Sequence, residues 1–589
     1  MVQSSISEPG KKKYSGRQLL AALGLILLCF VVYWPLLHAG FIWDDGLWIT
    51  ENPYVQHWSG LWHIWFSAQG APQYYPLVTT AFLLEYKWFG LIPVGYHLVN
   101  IFLQSSNAIL LWRILRRLEL KGAWVAAAVF AIHPVQVETV GWITEQKNLL
   151  SVLLGFSAAL YWLKWSDSNA PGETELLKVK QRWKPYSMAT AFYALALLAK
   201  TDLCVLPAIL LLLYWWKSGG ITRIVFVGAI PWLIIGFMMA GITIFIENGQ
   251  AGAHGEAFGF SLAQRFIIAG KDFWFYPLKL LWPHPLMEVY PRWNVDHLSW
   301  VDCLFPTTAL AIPAILWLLR TKIGRGPFTA AAYYGIAIFP VLGFISFFTM
   351  EYSFAADHYQ YMACIGVITL VVEGTILLVS LITTGWKNKN PTEAGNDRTR
   401  LCKRTTMIGI AAILLAMLGC FTIAQGELYN PSVNIWRNVL EYDPHSWVAL
   451  GHLGEWQAAH EDPTDALATI KQAEKYGGAS NVYVTADLGN LYMRAKGDYR
   501  SARFYLLRSL LIQPYQPDIF AELAYCDEKL GDSDQAITDL KLAQALEESG
   551  DTQDAIVRRN IVLQLMKRLT STNPTTSKLM TTEPNFLPR

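Results

Sequence analysis

The chain has few charged residues for its length. Of its 589 residues only 16% are Asp, Glu, Lys or Arg, whereas 53% are hydrophobic, and its mean hydropathy is +0.27. This composition argues against an ordinary soluble protein and indicates an integral membrane protein. The formal net charge of +2 gives no reason to expect a nucleic-acid partner.

Several recognisable motifs are missing as well. The sequence has no HExxH, GxSxG or P-loop pattern and no glycine-rich nucleotide loop after a strand, which argues against soluble nucleotide-driven chemistry. Its 7 cysteines lack CxxC spacing, so neither a zinc site nor a disulfide framework is indicated. It also lacks an Asn-x-Ser/Thr acceptor in which x is not proline, and this weakly favours a bacterial inner membrane over the endoplasmic reticulum.

What the sequence does contain is a series of long apolar runs separated by basic clusters. Placing the Lys and Arg clusters in the cytoplasm predicts an all-α, polytopic membrane bundle of about eleven spans, with the N-terminus inside. The first span is expected at 19–37, after the lysines at 11–13. The apolar segment 260–283 carries Arg265, Asp272 and Lys279 near one helical face, so we expect an amphipathic or re-entrant helix on the outer side.

The composition changes at about residue 426, where a helical repeat begins. Ala466, Ala502 and Ala536 each follow a polar turn, and the period of roughly 34 residues is that of a tetratricopeptide unit. Small residues recur in the first helices, in Leu453-Gly454, Leu488-Gly489 and Leu523-Ala524. We therefore expect an α-solenoid of three repeats and a preceding half repeat that binds a peptide, with an inert helical spacer as the alternative.

These patterns divide the chain into four regions. The prediction is a cytoplasmic tail (1–17), a transmembrane domain (18–425), non-cytoplasmic repeats (426–569) and a disordered tail (570–589).

Two adjacent carboxylates, Asp44 and Asp45, follow the first apolar run. Charges held beside a membrane are costly, so the pair is a candidate functional site. The alternative is that one of them only caps a short helix beginning at Leu47. The predicted topology places further polar residues on the same outer face: His133, Glu138, Lys271, Arg292, Asp357 and His358. Together they offer acids for proton abstraction and cations for a phosphate leaving group.

The order of these motifs resembles a known family. The blocks are Phe41-Ile42-Trp43-Asp44-Asp45 with Asn52-Pro53, His133-Pro134-Val135-Gln136-Val137-Glu138, Ala356-Asp357-His358-Tyr359-Gln360-Tyr361, and the C-terminal repeats. Together they resemble the transmembrane-and-tetratricopeptide (TMTC) protein O-mannosyltransferases, and look closest to their bacterial relatives. The resemblance implies a GT-C glycosyltransferase that takes sugar from a polyprenyl phosphate on the non-cytoplasmic face, with Asp44 and Asp45 as its acidic pair.

The reaction expected from this resemblance is an inverting transfer of a sugar, with mannose as one candidate, to Ser or Thr hydroxyls of a protein held by the repeats. Asp44 would be the general base with Asp45 as its partner, and Lys271 and Arg292 would bind the departing phosphate. His133, Glu138, Asp357 and His358 are candidate substrate-binding residues. A divalent metal could bridge Asp44 and Glu138, although the resemblance does not require one.

Three alternatives stay open at this point. The acceptor could be a glycan or a lipid, as in related GT-C enzymes, although the repeats favour a polypeptide. The chain could instead be a non-enzymatic membrane-anchored scaffold, which would need no acids on its outer face. The endoplasmic reticulum membrane is the alternative location to the bacterial inner membrane.

Overall fold

The computed structural model describes residues 16–67, 72–167, 179–249, 258–297, 299–385, 393–514 and 516–549. Most of the predicted cytoplasmic tail, the end of the third repeat and the predicted disordered tail lie outside these residues. The described residues form helices and turns and contain no β-strand. The chain forms two compact units, one made of Met1–Leu286 with Trp293–Ser432, the other of Met287–Arg292 with Val433–Arg589.

The first unit contains sixteen α-helices joined by short turns. They are α1 (Gly16–Val32), α2 (Pro53–Gln56), α3 (Gly60–Phe66), α4 (Pro76–Phe89), α5 (Pro93–Arg117), α6 (Ala123–Ile132), α7 (Val137–Gly141), α8 (Gln146–Asp167), α9 (Val179–Ala199), α10 (Leu206–Ser218), α11 (Arg223–Gly249), α12 (Leu262–Leu281), α13 (Leu304–Ile323), α14 (Gly326–Ile338), α15 (Cys364–Gly385) and α16 (Glu393–Glu427).

This unit has the helices of a multi-pass membrane protein. Among the described residues, 7 stretches are long and apolar enough to cross a membrane, and each coincides with a predicted span: Pro93–Arg117, Ile143–Asp167, Thr201–Ser218, Arg223–Ile246, Leu304–Ile323, Cys364–Ile382 and Thr405–Glu427. An eighth is added if the bent pair Ala123–Ile132 and Pro134–Gly141 is one span. The predicted spans at 19–37, before Lys200 and at 328–348 stay predictions. Helix α12, with its three charged residues, is not in this group.

A stripe of amides on α5 joins the centre of the unit. Asn100 Nδ2 donates to the Val140 carbonyl at 3.2 Å, and Gln104 Nε2 donates to Ala131 at 3.0 Å. Asn107 Nδ2 donates to the Leu149 carbonyl and to the Tyr361 hydroxyl, both at 2.9 Å. Amides buried among apolar helices must find such partners, and they thereby hold the helices in register.

The chain bends by 55° between α6 and α7. Pro134 cannot continue the hydrogen-bonding pattern of α6, so a turn separates the two helices. His133 holds this bend, because its Nδ1 accepts from the Val135 N–H at 3.3 Å and its Nε2 contacts the Leu280 carbonyl at 3.0 Å. The bend turns the residues from Val137 to Lys147 back into the unit, where they are almost completely buried.

The second unit contains helices α17 (Val433–Tyr442), α18 (Trp447–His460), α19 (Pro463–Lys475), α20 (Val482–Lys496), α21 (Tyr499–Ile512), α22 (Pro517–Lys529) and α23 (Ser533–Ser549). Successive helices pack as pairs. Gly454 lies against Ile470 and Gly489 against Leu506, so closely that an added Cβ would stand 2.4 and 2.6 Å from those side chains. The small residues therefore allow each pair to approach, as the repeat pattern predicts, while assignment to the tetratricopeptide class stays a prediction.

Candidate functional site

Asp45 is a buried brace rather than an exposed acid. Its Oδ2 accepts from the Ile42 N–H and its Oδ1 accepts from the Thr144 N–H, each at 2.9 Å. The residue is 0% exposed, and burial raises the pKa of its carboxyl to about 7 although both N–H donors act in the opposite direction. It stands before the turn Gly46–Thr50 without making a side-chain capping bond. Asp45 thus joins the first loop to the segment between α7 and α8.

Asp44, in contrast, is partly exposed. The preceding residue, Trp43, has a φ of 44°, a left-handed conformation that is uncommon for a bulky side chain. Its ring stacks on Trp142 with centroids 5.1 Å apart and lies 5.7 Å from the ring of Tyr352. These contacts hold a strained backbone next to the acid pair, as often happens at functional sites.

Behind the acid pair, two of the candidate residues touch each other. The Glu138 carboxylate accepts from the backbone N–H of His358 at 2.8 Å, and its other oxygen lies 2.9 Å from Nδ1 of that histidine. Burial lowers the pKa of His358 to about 4. The ring is therefore neutral at pH 7, and we assign its proton to Nδ1, where it is donated to Glu138. The two residues are 220 positions apart in the sequence.

The cluster continues through residues of the α8 start. Nε2 of His358 is 3.8 Å from Oε1 of Glu145, and the same carboxylate pairs with Lys147 Nζ at 2.8 Å. Its other oxygen accepts from the Asn148 amide, whose Oδ1 accepts from Lys200 Nζ at 2.8 Å. Buried charges of both signs are retained here only because each has a partner.

Lys147 connects this cluster with Asp44. Its ammonium lies 5.6 Å from the ring centroids of Trp48 and Trp142, and it interacts electrostatically with Asp44 as well as with Glu145. Burial and the negative charge of Asp44 raise the pKa of Tyr352 well above its usual range. Asp44 is therefore the acid at the partly exposed edge of a buried network of charged and aromatic groups.

The remaining predicted residues occupy different surroundings. Both ring nitrogens of His133 contact backbone groups. Asp357 is buried and interacts with Lys279, whose pKa is lowered by burial. Lys271 pairs with Asp302 at 2.8 Å and holds the pKa of that carboxyl well below its usual range. Arg292 belongs to the second unit. The substrate-binding roles of these four residues stay predictions.

The donor set for a metal bridge between Asp44 and Glu138 is incomplete. Both carboxylate oxygens of Glu138 are already engaged by His358. Within the residues that the structure describes, no group of three or more His, Cys, Asp or Glu side chains could hold a metal ion. We therefore derive no step through a metal.

The structure adds residues to the site that the sequence analysis did not assign. Glu145 and Lys147 stood in a polar patch that the predicted topology places outside, so a hint was present, but the partner of each was not predictable. Asn148 and Lys200 were not assigned, although a charged residue at the end of an apolar helix, as in Lys200-Thr201-Asp202, is a recognisable sign of a buried site.

Comparisons with known proteins point in one direction over part of the chain. No family model matches it. Protein O-mannosyl-transferase Tmtc3 of Drosophila melanogaster is 29% identical over 194 residues, 27% of this chain and 21% of that protein. Protein O-mannosyl-transferase F38B6.6 of Caenorhabditis elegans is 28% identical over 28% of the chain and 27% of its own length, and tmtc2 of Xenopus laevis is 32% identical over 25% and 18%. The matches thus span about a fifth to a quarter of these relatives, all of which are named as protein O-mannosyl-transferases.

Proposed function

We propose that the chain is a membrane glycosyltransferase of GT-C type that transfers a sugar, with mannose as one candidate, from a polyprenyl phosphate to a hydroxyl group of a protein on the non-cytoplasmic face. The observation that carries the proposal is the division of labour in the acid pair. Asp45 uses both oxygens to fix the loop, whereas Asp44 stands at the edge of the charged cluster and is partly exposed. The names of the similar proteins support the reaction class.

In this proposal Asp44 is the general base. An acceptor hydroxyl oxygen attacks the anomeric carbon, the bond from that carbon to the phosphate oxygen breaks, and polyprenyl phosphate leaves with the electron pair. The acceptor proton passes to Asp44, and direct displacement inverts the anomeric centre. General-base assistance of this kind contributes about 10² to 10⁴ in rate. Lys147 lies beside Asp44, and its positive charge favours the ionised carboxylate that must accept the proton.

The buried cluster speaks against a purely structural membrane anchor. Glu138, Glu145, Lys147 and Lys200 are each at most 7% exposed, and burying such groups costs several kcal/mol for each ion even when partners are present. A scaffold protein would gain more stability from apolar residues at the same positions. Charged groups retained at such a cost commonly serve binding or catalysis.

The test is sugar transfer by the purified full-length protein, using a radiolabelled polyprenyl-phosphate sugar and a mixture of hydroxyl-bearing peptides. Asp44→Asn should abolish transfer, because an amide cannot accept a proton at neutral pH, while the thermal unfolding midpoint stays unchanged. Glu51→Gln, which removes an exposed carboxylate from the same loop, is the matched control and should stay active. Full activity of Asp44→Asn would refute this assignment, and labelled lipid or glycan products would move the acceptor to the alternative class.

A further inference from the structure

A small cavity lies next to the charged cluster, on the side away from Asp45's backbone contacts. It has a volume of about 30 Å³ and lies between the turn Thr201–Val205, the end of α14 and the segment that follows His358. One wall is polar and contains Asn148, Lys200, Asp202 and His358. The opposite wall is apolar and contains Leu203, Ala337, Pro340, Val341 and Met362. The cavity therefore combines a charged end with a surface that suits hydrocarbon.

Lys200 is the cation of this cavity. Its Nζ donates to Asn148 Oδ1 at 2.8 Å and pairs with Asp202 Oδ2 at 3.1 Å. The lysine side chain is 9% exposed, but the carboxylate that neutralises it is 41% exposed. An ammonium buried to this degree requires an anion. The anion that it has can move into solvent at little cost, because half-exposed ion pairs contribute little to stability.

Lys147 is not equivalent to Lys200, although both are buried near Glu145. Lys147 is held by that glutamate at 2.8 Å and lies between two indole rings. It does not line the cavity. Lys200 lines the cavity and has a replaceable partner, so an incoming anion can reach it without breaking the buried pair of Glu145 and Lys147.

We propose that this cavity binds the phosphate end of a prenyl phosphate, with Lys200 as its cation and the Asp202 carboxylate as a stand-in that leaves when the phosphate arrives. A volume of about 30 Å³ corresponds to one water molecule, so the phosphate enters as Asp202 swings outward, and the first isoprene units contact the apolar wall. The inference rests on the proposed function. In the transfer step, the Lys200 ammonium stabilises the negative charge that develops on the departing phosphate oxygen.

The experiment measures binding rather than transfer, so that it can fail independently of the proposed reaction. Full-length protein in detergent is titrated with farnesyl phosphate, with farnesol and with inorganic phosphate, and binding is followed by calorimetry. Farnesyl phosphate should bind, whereas farnesol lacks the anion and inorganic phosphate lacks the hydrocarbon, so both should bind far more weakly. Lys200→Met should weaken farnesyl phosphate binding by about 10- to 100-fold, the usual effect of losing a charge-assisted hydrogen bond, and Lys200→Arg should restore part of it.

A second variant gives a change of opposite sign. Asp202→Asn removes the competing charge and should strengthen farnesyl phosphate binding by about 2- to 5-fold. This arm decides the matter if Lys200→Met fails to fold. The matched control is Lys217→Met at the other end of α10, which also removes a lysine–carboxylate pair, that with Glu119 at 2.7 Å, and should leave binding unchanged.

Several results would overturn the inference. They are equal binding by Lys200→Met and the original protein, no gain in Asp202→Asn, or equal binding of farnesol. Inorganic phosphate binding as tightly as farnesyl phosphate would show a free-anion site instead of a lipid site. In each of these cases the proposed transferase is judged separately by the Asp44→Asn assay, because loss of transfer in that variant does not depend on where the phosphate binds.

Discussion

At the scale of single residues, the two adjacent aspartates differ in what their oxygens contact. Asp45 accepts two backbone N–H groups while completely buried. Replacing it with asparagine would set an NH₂ group against one of these donors. We expect Asp45→Asn to lower the free energy of unfolding by about 1–3 kcal/mol, the cost of leaving a buried donor unsatisfied.

The measurement is thermal or denaturant unfolding of Asp45→Asn beside Asp44→Asn, whose stability should be unchanged. If Asp45→Asn were as stable as the original protein but inactive, the roles of the two acids in catalysis would be reversed. Sequence reasoning alone could not separate them, because it offered the same capping alternative for both.

His358 predicts how stability depends on pH. Burial lowers its pKa to about 4 in the folded protein, from about 6.5 in the unfolded chain. The folded state therefore binds fewer protons between these values. The stability that the neutral ring contributes is fully present above pH 6.5 and is lost as the pH falls towards 4, by at most about 3 kcal/mol.

The measurement compares the unfolding free energy of the original protein and of His358→Asn between pH 6.5 and 4. The fall in stability should be smaller in the variant. The raised pKa of Asp45 acts with the opposite sign, since its contribution is lost as the pH rises through about 7. That effect is common to both proteins and cancels in the difference, so equal pH profiles would contradict the assignment of a neutral His358.

At the scale of helices, the close approach of paired helices in the second unit depends on single glycines. An alanine at position 489 would place its Cβ 2.6 Å from a Leu506 methyl group. Overpacking of this kind commonly costs about 1–3 kcal/mol, against which the higher helix propensity of alanine offsets up to about 1 kcal/mol. We expect Gly489→Ala to lower the unfolding midpoint of the second unit.

The chain supplies a control for this prediction in the third helix pair. There Ala524 already occupies the corresponding small-residue position, so Ala524→Gly removes a methyl group instead of adding one and should cause no steric strain. Circular dichroism of both variants would show the difference. A Gly489→Ala protein at least as stable as the original would mean that Leu506 can move aside freely.

Helices were also the level at which the sequence was most informative. The seven apolar stretches coincide with predicted spans because membrane crossing depends on local hydropathy and length, which a single sequence displays directly. The bend after α6 was readable from His133-Pro134. The span predicted at 328–348 is less regular, since α14 ends at Ile338 after 13 residues, and runs of apolar residues do not reveal where a helix gives way to a turn.

At the scale of the whole molecule, the arrangement of basic clusters predicts that the repeats are non-cytoplasmic. A reporter enzyme that works only in the cytoplasm should be silent when fused after Arg589. The same reporter inserted into the predicted cytoplasmic loop at 168–178 should be active. Activity of the C-terminal fusion would reverse the predicted orientation and the face on which Asp44 lies.

The pairing of distant residues was beyond the sequence. Glu138 and His358 were both candidates, but their contact at 2.8 Å follows from helices packed by the α5 amides and by Tyr361, and no local pattern carries that information. Lys200 was overlooked for the same reason. Its partner Asn148 is 52 positions away, and a lone lysine beside an apolar helix is more often a solvated helix end.

The contact between Glu138 and His358 also has a consequence for how the protein is made. Membrane insertion proceeds from the N-terminus, so Asp44, Glu138 and Lys147 are all in the bilayer or beside it long before the ribosome reaches His358, 220 residues after Glu138. During that interval the Glu138 carboxylate has no histidine to accept from. The site is therefore assembled only late in biogenesis, and a nascent chain arrested before α15 would carry the acid pair without the environment that supports it.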